Sequence, residues 1–397
     1  MTAKIMIVSD NGVSTGYGRI ADHMGQLLSA RGYQVFAASF VYDGLLPAQY
    51  EGKNLPYHVA SMAGHANWPE QVANISRAIM PDVMLVIQDA PYLEQVRNLP
   101  LDWSVMAFVG ITPVDGVPLY PDWVRLFKLA DGMLTISEFG VEAHRQVGVK
   151  SRLCRPAADG SSFYPLSADE RLSVRSRLGI APNAFVVGSC DQNHGRKCLP
   201  EMLEGFFDTT KDLPDARFIA VTEPISPAGW NLPVVMQQQG WDASKIMFRP
   251  DCHQKGVHNL RELYGAMDVH AVLAHREGFG LPIVEAQMCG IANMALDYCS
   301  GTEQCGNGNG VLVNRHAISQ VSTWGGALDY FPDVKDYATK LRELYDNPAK
   351  RQLIALTGMK NAQNFTWEKA GNNVLATIEE VLSVKRALPN RLQAPVV

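Results

Sequence analysis

Two glutamates, Glu277 and Glu285, stand eight positions apart in the stretch HREGFGLPIVEAQMCG, residues 275–290. Pro282 suits the first position of a helix, where its missing N–H costs nothing, and Gly290 suits the end of one. The stretch therefore predicts a loop that carries Glu277, followed by a helix that carries Glu285 in its first turn.

The start of this helix is a candidate anion site. Backbone N–H groups at a helix start have no partner within the helix, and Gly278 and Gly280 let a phosphate approach the main chain closely. Carboxylates repel a bound diphosphate, so their presence beside it makes sense only if they accept hydrogen bonds from neighbouring hydroxyl groups. These hydroxyls would belong to a transferred sugar at Glu277 and to a ribose at Glu285. The open alternative is that Glu285 only complements the helix dipole and Glu277 is a surface charge.

The motif belongs to a chain in which strands and helices alternate. The apolar strand KIMIVSD, a helix at 18–32 and the strand YQVFAASF form a βαβ unit, which requires parallel strands. After a proline-punctuated stretch the alternation starts afresh, and the strand VHAVLA leads into the motif. Further strands are predicted at 83–88, 105–111, 132–137 and 185–189.

This pattern predicts an α/β protein with two doubly wound, Rossmann-like domains that face a central cleft. The predicted domains are residues 1–165 and 166–372. A C-terminal helix, 373–397, is expected to pack back on the first domain.

Composition narrows the class of protein. The chain has 397 residues, 47% of them hydrophobic and 19% charged, which is typical of a folded protein with two domains. It has no apolar run long enough to span a membrane and its first residues do not read as a signal peptide, so we expect a cytoplasmic protein. Its seven cysteines show no metal-binding spacing, so reduced thiols and no metal site are expected.

The net charge of the chain is −5, so its overall charge does not favour binding to a polyanion. Locally, residues 143–158 carry four cations and no acid, which predicts either a basic patch or ordinary solvated cations near a helix end. The four are Arg145, Lys150, Arg152 and Arg155.

The segment EGFGLPIVE resembles the E-x7-E signature of retaining glycosyltransferases with the GT-B fold, a family 4-like group also described as glycosyl transferases group 1. The segment TGYGRIADHMGQLLSARGYQV is similar to that family's N-terminal glycine loop and helix. GRKCLPEMLEGF is similar to its RKG-type basic loop and helix. The resemblance covers nearly the whole chain and implies an acceptor-side first domain and a donor-binding second domain.

The resemblance also implies roles for individual residues. Glu277 is expected to contact the donor sugar near the reacting centre, while Arg196 and Lys197 neutralise the diphosphate leaving group without a metal or other cofactor. Asp115 is the candidate polar residue of the first domain, with a structural turn at Asp115-Gly116 as the alternative. The expected donor-binding residues are Gly16, Tyr17, Gly18, Arg249, His275, Gly278, Phe279, Gly280, Leu281 and Glu285.

Two of these expectations concern whole segments. Gly16, Tyr17 and Gly18 are expected to form a second glycine turn, and Arg249–His253 is expected to seat the nucleotide base.

Two departures from the family pattern bear on the site. Gln192 stands where the family often has an additional arginine, which would weaken phosphate binding or shift that task elsewhere. His275 replaces a small hydroxyl residue and is expected either to touch the sugar or, as a packed histidine, to be structural.

The function implied is retaining transfer of a sugar from a nucleotide-diphosphate sugar to an acceptor hydroxyl on a glycan, a lipid or a small molecule. A hydroxymethylated base in phage DNA stays open as an acceptor, and a non-catalytic protein that binds sugar nucleotide or glycan is the alternative class. A phosphorylase or epimerase of the same fold is also open. The motif GYGRIA fits a dinucleotide fingerprint, but the second strand ends in AASF without the acidic residue that a dehydrogenase would place there.

Overall fold

The chain divides into two α/β units in a computed structural model that describes residues 2–13, 15–42, 44, 55–64, 66–250, 259–320 and 326–387. Unit 1 comprises Met1–Pro156 and Trp367–Val397, and unit 2 comprises Ala157–Thr366. The first boundary lies nine residues before the predicted one (165 − 156).

Unit 1 is built on a parallel sheet in the order β3-β2-β1-β4-β5-β6-β7. Its strands are β1 (Lys4–Ser9), β2 (Gln34–Ser39), β3 (His58–Ser61), β4 (Val83–Ile87), β5 (Ala107–Thr112), β6 (Gly132–Thr135) and β7 (Arg152–Leu153). Its first helices are α1 (Gly16–Ala30), α2 (Trp68–Ile79), α3 (Ala90–Arg97), α4 (Pro121–Leu129) and α5 (Glu138–Gln146). Every residue of β4 and β5 is buried, as their continuous apolar runs predict.

Unit 2 contains a second parallel sheet in the order β10-β9-β8-β11-β12-β13, and a separate antiparallel hairpin, β14-β15. Its strands are β8 (Val186–Ser189), β9 (Arg217–Ala220), β10 (Ile246–Phe248), β11 (Val269–Val272), β12 (Ala292–Leu296), β13 (Val311–Val313), β14 (Arg315–Gln320) and β15 (Leu328–Pro332). Its helices are α6 (Ala168–Arg177), α7 (Leu199–Thr209), α8 (Leu232–Gln239), α9 (Leu260–Ala266), α10 (Leu281–Met288), α11 (Ser300–Cys305), α12 (Val334–Asp346) and α13 (Pro348–Ala362).

The order of the strands reverses at β1/β4 in unit 1 and at β8/β11 in unit 2. Loops that leave two neighbouring strands at such a point run in opposite directions and open a crevice at the carboxyl ends of the strands, where open α/β sheets bind ligands. We therefore expect ligand-binding residues in the loops after β1, β4, β8 and β11.

The final helix, α14 (Trp367–Ala387), packs on the sheet of unit 1. Gly132 leaves room for Thr377, Gly371 leaves room for Leu27, and the Lys385 ammonium donates a 2.7 Å hydrogen bond to the Trp103 carbonyl. The helix begins six residues before the predicted start (373 − 367), and residues 388–397 lie outside the described part of the chain.

Gly16, Tyr17 and Gly18 do not form a turn, because they are the first residues of α1. The Thr15 hydroxyl caps this helix by accepting a 2.9 Å hydrogen bond from the Gly18 backbone N–H. Gly18 is required for another reason: a Cβ there would lie 2.2 Å from the Val13 carbonyl oxygen.

The cations predicted as a possible basic patch are compensated by acids. Each lies in an ion pair, two of them with Glu380 on α14, more than two hundred positions away in the sequence. The pairs are Arg145 with Glu142, Lys150 and Arg152 with Glu380, and Arg155 with Glu138.

Helices long and apolar enough to cross a bilayer are absent from the described ranges.

The loop after β1 is held by the buried carboxylate of Asp22, which accepts hydrogen bonds from the Gly12 backbone N–H at 3.0 Å and the Tyr57 hydroxyl at 2.8 Å. We predict that Asp22→Ala lowers the free energy of unfolding of unit 1 by at least about 2 kcal/mol, because it leaves buried donors unpaired. Urea unfolding followed by hydrogen-exchange mass spectrometry of unit 1 peptides measures this. The exposed Asp169→Ala in unit 2 is the control, and equal unfolding profiles for both variants would contradict the prediction.

Candidate functional site

A buried ammonium group joins the two central strands of unit 2. Lys197 Nζ lies 2.5 Å from Asp191 Oδ1 and 2.6 Å from Glu277 Oε2. The exposed fractions of the three side chains are 10% for Lys197, 2% for Asp191 and 15% for Glu277. Asp191 and Lys197 follow β8, and Glu277 follows β11, which pairs directly with β8. The strand order thus brings together three charges from distant parts of the chain.

The pairing favours the charged forms of Lys197 and Glu277. Burial alone would raise the pKa of Glu277, but Lys197 and Arg196 lower it to about 2. Burial alone would lower the pKa of Lys197, but the carboxylates of Asp191 and Glu277 raise it above its ordinary value. Since only 15% of its side chain is exposed, Glu277 does not match the open alternative of a surface charge.

Arg196 connects the turn that carries Lys197 to the loop that carries Glu277. It lies in a 3₁₀ turn, Gly195–Lys197, and its Nη1 donates a 2.8 Å hydrogen bond to the Arg276 carbonyl while lying 3.4 Å from Glu277 Oε2. In return, the His275 backbone N–H donates to the Arg196 carbonyl at 2.8 Å. The two segments that the sequence singled out are thus one structural unit.

The loop between Glu277 and α10 is fixed by side chains of α11. The Ser300 hydroxyl donates a 2.8 Å hydrogen bond to the Glu277 carbonyl, and the Gln304 amide donates to the Phe279 carbonyl. Gly280 caps α10 with a φ of 80°, a conformation that favours glycine. Leu281 and Pro282 are the first two residues of the helix, so the proline lies one position later than predicted.

Glu285 lies beyond the first turn of α10, and it is buried, with 1% of the residue exposed. Its Oε2 accepts a 2.9 Å hydrogen bond from the Tyr264 hydroxyl. Because the effect of the helix dipole is confined to the first turn, the predicted alternative in which Glu285 only complements that dipole loses its basis.

His275 is packed inside unit 2. Its ring centroid lies 4.1 Å from that of Phe331 on β15, and its Nδ1 lies 3.8 Å from Asp329 Oδ2. Asp329 also pairs with the Arg276 guanidinium, so the hairpin β14-β15 braces the loop that carries Glu277. This environment is that of the packed histidine that the sequence left open as one of two alternatives.

The predicted residues of unit 1 form a group of their own. The Tyr17 hydroxyl donates a 2.5 Å hydrogen bond to Asp89 Oδ1, and Gln88 donates at 3.0 Å to Asp10 Oδ1. Burial raises the pKa of Tyr17, and the charges of Asp89, Asp115 and Asp10 raise it further. This group marks the β1/β4 switch point and contains the predicted residues Tyr17 and Asp115.

Arg249 directly follows β10, and its backbone N–H donates a 2.8 Å hydrogen bond to the Ala220 carbonyl. The rest of the predicted base-binding segment, from Asp251 to His253, lies outside the described residues. Gln192 is exposed beside the buried Asp191.

The sequence interpretation missed Asp191, Tyr264, Ser300 and Gln304. Only Asp191 carried a local signal, since it is an acidic residue just beyond a predicted strand, the position where α/β proteins place ligand-binding groups. Tyr264, Ser300 and Gln304 reach the site from helices, so their proximity depends on packing.

Comparison with known proteins finds relatives of this chain. Residues 252–356 match the family model described as Glycosyl transferases group 1. The D-inositol 3-phosphate glycosyltransferase of Geodermatophilus obscurus is 27% identical over 271 residues, 66% of this chain and 54% of that protein. The chain therefore spans about half the length of the curated relatives it matches.

Two solved structures are similar over nearly the whole chain. A sucrose-phosphate synthase from Thermosynechococcus elongatus has a TM-score of 0.71 and 15% identity, covering 96% of this chain and 100% of that one. Anabaena HepE, solved in complex with UDP-glucose, has a TM-score of 0.71 and 18% identity, covering 95% and 99%.

The two parallel α/β units and these structural likenesses define the class: the chain has the GT-B fold of glycosyltransferases, as predicted. More particularly, the predicted resemblance to glycosyl transferases group 1 is confirmed, and the matching segment carries both glutamates of the motif.

We predict a strong coupling between Lys197 and Asp191. In a double-mutant cycle of Lys197→Met and Asp191→Asn, the coupling free energy measured by urea unfolding should be about 1 to 3 kcal/mol, because removing one partner leaves the other as a buried unpaired charge.

The control cycle uses Arg145→Met and Glu142→Gln, whose side chains are 72% and 48% exposed. It should give no measurable coupling, since water screens an exposed pair. Equal coupling in both cycles would contradict a special role for the buried ammonium.

Proposed function

We propose that the protein transfers a sugar from a nucleoside-diphosphate sugar to an acceptor hydroxyl with retention of anomeric configuration. The observation that supports this best is the Asp191–Lys197–Glu277 cluster at the carboxyl ends of β8 and β11, next to the start of α10. The proposal rests on the match of residues 252–356 together with this geometry.

The diphosphate would bind at the start of α10. Gly280 carries no side chain of its own at this position, and a helix start attracts anions. The formal charges of Asp191, Glu277, Lys197 and Arg196 cancel, so these carboxylates do not repel the ligand as isolated charges would. Arg196, whose side chain is 33% exposed, has the accessible guanidinium that could move onto a phosphate.

Glu277 would accept a hydrogen bond from the transferred sugar. Held between two cations, it is an ionised acceptor and has no proton to donate as a general acid. The departing phosphate oxygen is then the base that takes the proton of the acceptor hydroxyl, which attacks the anomeric carbon from the side that the diphosphate leaves. With Arg196 and Lys197 stabilising the leaving group, this step uses no metal ion.

A double-displacement mechanism would need a second carboxylate beside the anomeric carbon. Glu285 is not proposed for that task, because a ligand of the donor ribose would lie too far from the anomeric carbon. Its proposed role is to hold the ribose of the donor.

The donor is proposed to be a nucleoside-diphosphate sugar, in keeping with the UDP-glucose bound by HepE. The acceptor is proposed to be a hydroxyl of a glycan, lipid or small molecule. A base in DNA fits less well, because the cations of residues 145–155 are paired with acids and supply little charge for a phosphate backbone.

Incubation with a panel of nucleotide sugars and hydroxyl acceptors tests the proposal. We expect release of nucleoside diphosphate with one donor, and NMR of the product should show the anomeric configuration of that donor. Tight binding of a sugar nucleotide with no turnover would instead favour a non-catalytic binding protein, and inversion would exclude the mechanism above.

The two motif glutamates should have separable roles. We predict that Glu277→Gln lowers kcat by about 100-fold or more while changing the Kd for the nucleoside diphosphate little. The reason is that the proposed hydrogen bond between Glu277 and the transferred sugar is stronger in the transition state than in the ground state.

Glu285→Ala should weaken nucleoside diphosphate binding by roughly 10- to 100-fold, as expected for loss of a charged hydrogen bond. Tyr264→Phe is the matched control, since it removes the phenolic donor and keeps the carboxylate. Calorimetry and steady-state kinetics separate the two effects. Full activity and unchanged affinity in both glutamate variants would show that the roles are misassigned.

A further inference from the structure

We propose that Cys198, Glu201 and His275 form a structural zinc site on the two segments that also carry the Lys197–Glu277 ion pair. Within the described ranges, the thiol, one carboxylate oxygen and one imidazole nitrogen of these residues all lie within 4.8 Å of one another. Cys198 immediately precedes α7, Glu201 lies in its first turn, and His275 follows β11. This inference is independent of the sugar transfer proposed above.

Two polar atoms of this cluster are buried without partners, whereas the Cys198 thiol donates a 3.7 Å hydrogen bond to the Arg196 carbonyl. His275 Nε2 and Glu201 Oε2 are both inaccessible to water and have no hydrogen-bond partner in the described part of the protein. His275 is 9% exposed and Cys198 is fully buried. Buried polar atoms are nearly always paired, so unpaired atoms on two converging side chains indicate a missing ligand. A zinc ion would bind both unpaired atoms and the Cys198 sulfur, whose proton would be released to solvent as the zinc–sulfur bond forms.

The donor set selects the ion. Sulfur, imidazole nitrogen and carboxylate oxygen together are the ligands of zinc, whereas magnesium and calcium take oxygen ligands. Zinc–ligand bonds of about 2.0 to 2.3 Å place ligand atoms roughly 3.3 to 3.8 Å apart, so atoms that lie within 4.8 Å of one another need to close by at most about 1.5 Å. A water molecule would complete a tetrahedral site.

The surroundings of His275 orient it for this role. Asp329 Oδ2 lies 3.8 Å from Nδ1, and its charge favours the tautomer with the proton on Nδ1 and the lone pair on Nε2. Carboxylates behind metal-bound histidines commonly fix the ring in this way. Asp329 is therefore proposed as the outer partner of the site.

Cys198 also allows a direct test of the assignment. It has a φ of 51°, a left-handed conformation that a glycine would adopt without strain. The thiol lies near Glu201 and His275, and a glycine at this position would keep the backbone conformation while removing the sulfur.

The ion would fix the geometry of the neighbouring ion pair. Lys197 directly precedes Cys198, and Glu277 is two positions after His275. Crosslinking the start of α7 to the loop after β11 would therefore hold the ammonium and carboxylate groups at their 2.6 Å separation. The proposed zinc braces these groups and does not contact the reacting atoms.

The test begins with the unaltered protein. Chains expressed in zinc-supplemented medium and freed of loose metal by desalting should contain about one zinc by mass spectrometry, and zinc X-ray absorption should report one sulfur ligand. Replacement by Co²⁺ should produce a thiolate-to-cobalt charge-transfer band. A zinc-free protein that gives no such band with Co²⁺ would overturn the proposal and leave the cluster as a metal-free group of core side chains.

Variants then assign the ligands. Cys198→Gly should abolish zinc retention and the cobalt band, and its fold should survive because glycine suits that backbone conformation. Cys305→Ala, which removes a different buried thiol of unit 2, should retain both. Asp329→Asn should weaken zinc affinity by about 10- to 100-fold. Unchanged zinc content and an unchanged cobalt spectrum in Cys198→Gly would refute the assignment.

Discussion

The site of unit 2 depends on one interaction, the pairing of the buried Lys197 ammonium with the carboxylates of Asp191 and Glu277. Removing three charges from water costs several kcal/mol for each, and only close pairing in good geometry compensates for that cost. The pairing demands that the ends of β8 and β11 be adjacent and parallel, as the sheet provides. The order of the strands in the sheet therefore determines where this site can form.

The neighbouring contacts serve to keep this cluster in place. Arg196 binds the Arg276 carbonyl, Ser300 binds the Glu277 carbonyl, and Asp329 on the hairpin pairs with Arg276. Each contact comes from a different element of unit 2, so the loop with Glu277 is held from several sides. A preorganised polar site of this kind stabilises developing charge without the cost of reorganisation during a reaction.

Unit 1 shows a similar principle with different chemistry. Asp10 and Asp89 follow the central strands β1 and β4, and Tyr17, Thr15 and Gln88 supply their hydrogen bonds. Here hydroxyl and amide donors replace the ammonium of unit 2. Such groups can hydrogen-bond to hydroxyls, which agrees with the proposed transfer of a sugar to an acceptor hydroxyl.

The sequence by itself determined the local features of this protein. Continuous apolar runs predicted β4 and β5, and the Gly-Phe-Gly-Leu-Pro loop predicted a helix start next to Glu277. These succeed because strand burial and helix starts depend on neighbouring residues. Predicted boundaries were less accurate, as at Gly16, because a cap such as Thr15 can begin a helix before its apolar pattern does.

Only the tertiary structure decided which charges meet. It pairs Lys197 with Glu277, 80 positions away, buries Glu285 against Tyr264, and pairs Arg152 with Glu380, 228 positions away. The physical reason is that spacing and periodicity act within a few residues, whereas these contacts depend on strand order and on the return of α14 to unit 1. The sequence thus indicated the kind of site, and the packing of the strands and helices selected the partners of each charge.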